Sequence, residues 1–338
     1  MTRPINLGLI GAGRIGRQHA GDIAHRIPGA RLLAVADIFE EAAQKAAADF
    51  GIPKAYADPR PIFDDPDIEA VIICSSTDTH ADFIEQAAEA GKHIFCEKPI
   101  HLDLERIDRA LAAVEKAGVK LQVGFNRRFD PNFKRAQELV ASGAIGEPQL
   151  LRITSRDPAP PPIEYIKVSG GIFLDMTIHD FDMARFLIGE EVEEIYAAGG
   201  VMVDPAIGEA GDIDTALITL KYRNGVLGAV DNSRQAVYGY DQRVEVFGSE
   251  GVVIVGNVKP DTAVLTNIHG EHSAKPVYFF VERYTESYLA EVRAFLQAIR
   301  EDTTPLVTGE DGRIPVIMGY AAWESYRKNR PVKVKLDG

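Results

Sequence analysis

The chain is poor in cysteine: its 338 residues hold two, Cys74 and Cys96, both at the ends of apolar runs. Two isolated thiols make neither a disulfide framework nor a cysteine metal motif, and both are expected to be buried and reduced. Basic residues are also scarce, with 37 Lys and Arg against 50 Asp and Glu and a net charge of -13. That balance argues against nucleic acid, whose phosphates select basic surfaces. It leaves room for an anionic cofactor, because a helix N-terminus binds phosphate even in an acidic protein. No apolar run is long enough to span a membrane and there is no signal-peptide pattern, so a cytoplasmic protein without a membrane partner is expected. Internal repeats and low-complexity tails are missing as well.

What is present suits a globular protein of about two domains at roughly 150 residues each. Apolar residues make up 46% and charged residues 26%, enough for sizeable cores. In the first half, short apolar runs alternate with helical patterns. Strands are expected at 5–10, 31–36, 70–74, 93–96 and 120–123, and helices at 15–27, 40–50, 80–90 and 104–117. That alternation predicts a doubly wound parallel sheet over 1–123. After residue 124 the strands come in a run, at 149–155, 192–203, 215–222, 226–233, 242–247 and 251–255, with helices at 131–142, 287–300 and 311–328. The second domain, 124–338, is therefore expected to be α+β with a large, mostly antiparallel sheet. Asn224-Gly225 between two of its strands is a type I′ hairpin signal. The proline-rich 157–162 reads as a stiff loop or as a rim of the substrate pocket.

Three stretches carry chemistry. Gly11-Ala-Gly13-Arg14-Ile15-Gly16 lies between a predicted strand and a predicted helix, where a dinucleotide-binding turn requires it. Asp37 ends the next strand, 21 residues after Gly16, where a carboxylate accepts bonds from ribose hydroxyls and repels a 2′-phosphate. NAD is expected over NADP. Ser75, Ser76, Thr77 and His80 follow the strand at 70–74 and face the ligand crevice of such a sheet; Ser/Thr before a helix also serves as a cap. Glu97-Lys98-Pro99 ends another strand on the same edge. Its ammonium would hydrogen-bond a substrate hydroxyl and favour the alkoxide.

The third stretch is Gly171 to Asp182. Asp175, His179 and Asp182 are spaced i, i+4, i+7, which on one continuous helix puts all three on one face. Such polar groups on an apolar helix line a polar cavity, where a proton acceptor is useful. One histidine without a nearby cysteine makes a poor zinc site, and no metal is expected.

Together, Gly11-x-Gly13-x-x-Gly16, Glu97-Lys98-Pro99 and Gly171-x-x-x-Asp175-x-x-x-His179-Asp180 resemble the signature of the Gfo/Idh/MocA oxidoreductases over essentially the whole chain. The stretches 123–130, 155–162 and 238–245 are similar to those of the family's inositol-oxidising members. The resemblance implies NAD-dependent oxidation of a ring hydroxyl to a ketone, with myo-inositol as the expected substrate; scyllo-inositol, an aldose of the glucose type, or a non-catalytic NAD-binding sensor are the alternatives. It assigns Lys98, Asp175 and His179 as the catalytic triad. His179 would take the hydroxyl proton, Lys98 would polarise that hydroxyl, and Asp175 would hold a second hydroxyl or tune the other two. Arg127, Asp157, Asp182 and Tyr240 are implied as polyol contacts. The cofactor set is then Gly11, Gly13, Arg14, Ile15, Gly16, Asp37, Ser75, Ser76, Thr77, His80, Glu97 and Lys98. A cis Lys98-Pro99 peptide and a homo-oligomer, dimer or tetramer, built on the second domain's sheet are implied too.

Overall fold

In the computed structural model, which describes residues 3–336, the chain opens with β1 (Ile5–Ile10), α1 (Arg14–Arg26), β2 (Ala30–Ala36), α2 (Glu40–Phe50), β3 (Lys54–Tyr56) and α3 (Arg60–Asp64). It continues through β4 (Ala70–Ile73), α4 (Thr77–Glu89), β5 (His93–Glu97), α5 (Leu104–Ala117) and β6 (Leu121–Gly124). The six strands form one sheet in the order β3-β2-β1-β4-β5-β6, every neighbouring pair parallel. Order reverses between β1 and β4, and in such a sheet the ligand crevice lies outside the strand C-termini at that switch point. β1 and β4 are buried at every residue, as strands with helices on both faces must be.

After a short 3-10 turn (Asn126–Phe129) come α6 (Pro131–Ala141), β7 (Pro148–Arg156), α7 (Ile163–Ile166), α8 (Ile172–Asp175) and α9 (Ile178–Ile188). β8 (Val192–Gly200), α10 (Pro205–Glu209), β9 (Thr215–Tyr222), β10 (Leu227–Ser233), β11 (Asp241–Gly248) and β12 (Val252–Val255) follow. An exposed hairpin, β13 (Val264–Asn267) with β14 (Gly270–Ser273), precedes α11 (Phe280–Arg283), α12 (Thr285–Glu301), α13 (Gly309–Lys328) and β15 (Val332–Lys333). The second sheet runs β12-β11-β7-β10-β9-β8-β15, antiparallel except where β10 meets β7. β9 alternates buried Ala216, Ile218, Leu220 and Tyr222 with outward Leu217, Thr219 and Lys221, the period-2 pattern that a one-sided sheet imposes.

The chain divides into two units, one running to Asn126 and taking Glu286–Arg313, the other holding Arg127–Thr285 and the described residues from Ile314 on. An uninterrupted second domain from 124 to 338 therefore needs correction. Leu289, Val292, Phe295 and Leu296 of α12 join Leu7, Leu9, Ile72 and Phe95 of the parallel sheet in one core, so burial of that stripe returns the helix to the first unit. The hairpin at Asn224-Gly225 also differs from expectation. β9 and β10 do pair, but Gly225 alone has positive φ, +90°, so the loop lacks the two left-handed residues of a type I′ turn. The Asn224 side chain instead accepts from Val226 N at 3.2 Å.

Candidate active site

In the first unit the glycine turn joins β1 to α1. Gly11 has φ +96°, and a Cβ there would meet the Cys74 carbonyl carbon at 2.5 Å and Ser75 N at 2.6 Å. At Gly16 it would meet the Gly11 carbonyl oxygen at 2.0 Å, so helix and turn touch backbone to backbone. Gly13, the N-cap of α1, has open space where its Cβ would stand. This is the cradle a pyrophosphate needs: bare backbone at a helix N-terminus. Asp37 closes the turn, accepting from Ala12 N at 2.7 Å through Oδ2 and from Phe39 N at 2.9 Å through Oδ1. Its remaining lone pairs suit ribose hydroxyls. No basic side chain lies at Ile38 or Phe39 to receive a 2′-phosphate; both are exposed and apolar.

Ser75 and Ser76 lie between β4 and α4 and Thr77 opens α4; the side chain of Ser76 makes no capping bond although it occupies the N-cap. Ser75 Oγ instead pairs with Thr79 Oγ1 at 2.7 Å. His80, expected at the ribose, lies in the interior. It is buried, with Nδ1 2.8 Å from the Pro99 carbonyl and Nε2 3.0 Å from that of Ser75. Burial holds its pKa below the usual imidazole value. Both ring nitrogens thus face main-chain carbonyls, and His80 ties two strand ends together. Lys98 is partly exposed, and the Lys98-Pro99 peptide is cis. Glu97 turns inward: its Oε1 lies 2.7 Å from His19 Nε2.

In the second unit, the Gly171–Asp182 stretch is two helices. α8 ends at Asp175 and α9 begins at Ile178, with Met176 and Thr177 between them. The break follows from Thr177, whose hydroxyl bonds Asn232 Oδ1 at 2.6 Å and the Ile172 carbonyl at 3.2 Å. Gly171, φ +79°, starts the turn; a Cβ there would strike Trp323 at 2.6 Å and Asp212 at 2.8 Å. Between Gly171 and Ala184 every residue is buried except Asp175 and His179. Asp175 ends α8 and His179 lies in the first turn of α9, so the two partly exposed residues flank the break.

Asp182 does not join them. Its side chain is fully buried and takes a bidentate pair from Arg128, with Nη2–Oδ1 at 2.6 Å and Nε–Oδ2 at 3.0 Å. The side chain expected to contact the polyol is thus held in the interior by Arg128, although Asp182 lies on the same face of α9 as His179. Arg127 is likewise enclosed. It donates to Asp180 Oδ1 at 2.6 Å and lies 3.4 Å from Ser155 Oγ and 3.5 Å from the hydroxyl of Tyr240, itself buried. Burial pushes the Asp180 carboxyl up, while Arg127 and the Asn232 amide, 2.8 Å away, oppose the shift. Asp157, at the end of β7, is partly exposed. Burial raises it to about 6, with Arg234 opposing and the Asp175 carboxylate adding.

Arg234 and Tyr165 are participants that sequence spacing missed. Asp175 Oδ1 accepts from the Tyr165 hydroxyl at 2.8 Å, and its Oδ2 from Arg234 Nη1 at 3.2 Å. Arg234 also reaches Asp212 at 3.4 Å. The available signal was a basic residue directly after a strand; its partners lie 59 and 22 residues away in sequence.

Among known proteins, residues 5–125 match the model of the GFO/IDH/MocA oxidoreductase family, NAD-binding Rossmann fold, and residues 133–254 match the GFO/IDH/MocA C-terminal domain. The chain is 51% identical to a myo-inositol 2-dehydrogenase of Thermotoga maritima over 98% of its length and 99% of the relative's. It is 46% identical to an inositol 2-dehydrogenase of Rhizobium meliloti, again over 98% of this chain and 99% of that one. A scyllo-inositol dehydrogenase of Lactobacillus casei, solved with NAD(H) and scyllo-inositol, superposes with a TM-score of 0.92 at 32% identity, covering 98% of this chain and 99% of that one. Among the described residues no helix is long and apolar enough to cross a membrane. Glycine turn, parallel strand order and both family matches agree: the chain is an NAD-dependent oxidoreductase and belongs to the GFO/IDH/MocA family.

Proposed function

We propose that the protein oxidises a ring hydroxyl of a cyclitol, myo-inositol first, to the corresponding inosose with NAD as hydride acceptor. The observation that carries the chemistry is that Asp175 and His179 alone are partly exposed in an otherwise buried stretch. NAD, when bound, accepts the hydride. His179 takes the hydroxyl proton, Lys98 polarises that hydroxyl, and Asp175, fixed by Tyr165 and Arg234, accepts a bond from a neighbouring one. Asp157 is the remaining partly exposed carboxylate suited to a polyol. Arg127 and Tyr240 shape the site through Asp180 and Ser155. Gly11, Gly13, Arg14, Ile15 and Gly16 cradle the pyrophosphate, Asp37 takes the adenosine ribose, and Ser75, Ser76 and Thr77 the second ribose. The identities to inositol dehydrogenases support the substrate class; relatives acting on myo- and on scyllo-inositol stand side by side.

We also propose a homo-oligomer, dimer or tetramer, closed over the outer face of the second sheet. Val252, Phe247, Leu150 and Leu227 lie in register across four neighbouring strands and are all exposed. A row of that kind on a free sheet face is an association surface.

Initial rates of NADH formation with myo-inositol and scyllo-inositol at equal concentration test the substrate. Preference for myo-inositol, abolished in Lys98→Ala with NAD affinity kept, is the expected result. Absence of a rate with either cyclitol overturns the substrate class.

A further inference from the structure

Behind the strand that leads to Lys98, the first unit buries ionisable groups that the proposed chemistry leaves unused. Glu291 on α12 is fully buried, and neither of its carboxylate oxygens has a hydrogen-bond partner. His19 on α1 is equally buried; its Nε2 lies 2.7 Å from Glu97 Oε1 and 3.9 Å from Glu291 Oε1. Cys74, after β4, brings its thiol within 4.8 Å of the polar atoms of His19 and Glu97. From β6 the neutral Gln122 donates to the main-chain carbonyl of Glu291 at 2.8 Å. Phe95 and Tyr288 set their ring edges against His19, with centroids 5.3 and 5.8 Å away. The titratable groups facing Glu291 are thus His19, Cys74 and Glu97, one from each packed element.

One imidazole serves two carboxyls here, and its Nε2 is given to Glu97. A second carboxylate ion in the same dry pocket would stand unpaired and repel the first. Burial, reinforced by the Glu97 charge, accordingly pushes the Glu291 carboxyl well above the usual range. Glu97 Oε2 lies close over Gly124, where a Cβ would meet it at 2.9 Å.

We propose that Glu291 is a proton-bearing positioning residue: as a neutral acid it backs His19, which holds the Glu97 carboxylate and with it the adjoining Lys98. The inference rests on the reading that Lys98 polarises the substrate hydroxyl. Its physical content is a path of contacts, Glu291 to His19 to Glu97, that ends one peptide bond from the reacting group. An ionised Glu291 would compete with Glu97 for the His19 proton; a neutral one leaves that bond intact.

The test uses Glu291→Gln and Glu291→Leu in the full chain, with kcat, KM, NAD affinity by fluorescence titration and thermal midpoint measured across pH. Glutamine keeps the shape and has no proton to lose, so kcat stays within about two-fold of the unsubstituted protein. Its midpoint advantage widens as pH rises above the ordinary carboxylate range, because only glutamate must keep a proton that rising pH removes. Leucine cannot support His19, and kcat falls about ten-fold with NAD affinity unchanged. Undiminished kcat in the leucine variant overturns the proposal, as does a glutamine variant whose midpoint difference is flat with pH. Should the leucine variant fail to fold, the glutamine slope alone decides. Full turnover in Lys98→Ala would overturn the role of Lys98 while leaving that slope untouched, which separates the two failures.

Discussion

Arg234 donates through Nη1 to Asp175 Oδ2 at 3.2 Å, and its side chain keeps 1% of its surface. The cation is therefore committed to holding one of the two partly exposed polar groups of the Gly171–Ala184 stretch. Replacing it with methionine leaves Asp175 and Asp212 without their shared counter-charge. We expect Arg234→Met to lower kcat by about ten-fold or more and to cost about 3 kcal/mol of stability, as removal of one member of a buried pair does. Arg234→Lys, which keeps charge and loses the fork, should recover stability more than turnover. Steady-state kinetics beside chemical denaturation decides; unchanged kcat in the methionine variant would detach Asp175 from the chemistry.

Asp182 offers a contrast with Asp175 seven residues away. Enclosed with Arg128, it has no surface from which to meet a substrate. Asp182→Ala should therefore destabilise the protein by about 3 kcal/mol. The fraction that remains folded should keep its KM for the polyol. A raised KM in well-folded Asp182→Ala protein would restore the residue to the binding surface.

How far the sequence disclosed this arrangement depended on distance along the chain. The glycine turn, Asp37 and the parallel strand order were legible because each is a local pattern: a turn between strand and helix, or a repeated period. Asp175 and His179 were singled out by spacing, but spacing also recruited Asp182, whose enclosure depends on Arg128, 54 residues away in the chain. Arg234 and Glu291 escaped notice for the same reason. Each is given its role by partners remote in sequence. α12 showed its apolar stripe plainly, but a stripe does not say which core it covers. The β13–β14 hairpin is exposed throughout and so carries no burial period at all.

Asp157 supplies a pH dependence. Its carboxyl, raised to about 6, ionises only as pH climbs through that value. If the anion accepts a bond from a polyol hydroxyl, KM for the cyclitol rises as pH falls below about 6, and Asp157→Asn removes that inflection. Stability moves the other way. A carboxyl whose folded value is raised favours the folded state at low pH and loses that contribution as pH rises from the usual 3.8 to about 6. Asp157→Asn should then unfold at a higher temperature than the unsubstituted protein at pH above this window, with the difference vanishing in acid. Thermal melts and KM measured over the same pH series check both signs.

Cofactor choice turns on Asp37. Its carboxylate already accepts from Ala12 N at 2.7 Å and Phe39 N at 2.9 Å, so it shapes the glycine turn as well as presenting lone pairs to a ribose. Asp37→Ala should accordingly raise KM for either cofactor by loosening the turn, and that part of the effect is common to NAD and NADP. Only the loss of charge separates them: the 2′-hydroxyl loses a charge-assisted bond, while a 2′-phosphate loses a repulsion. The ratio of kcat/KM for NAD over NADP cancels the common part, and it should fall by about ten- to a hundred-fold. An unchanged ratio alongside a raised KM for both would make Asp37 a brace of the turn and would require some other group to read the ribose.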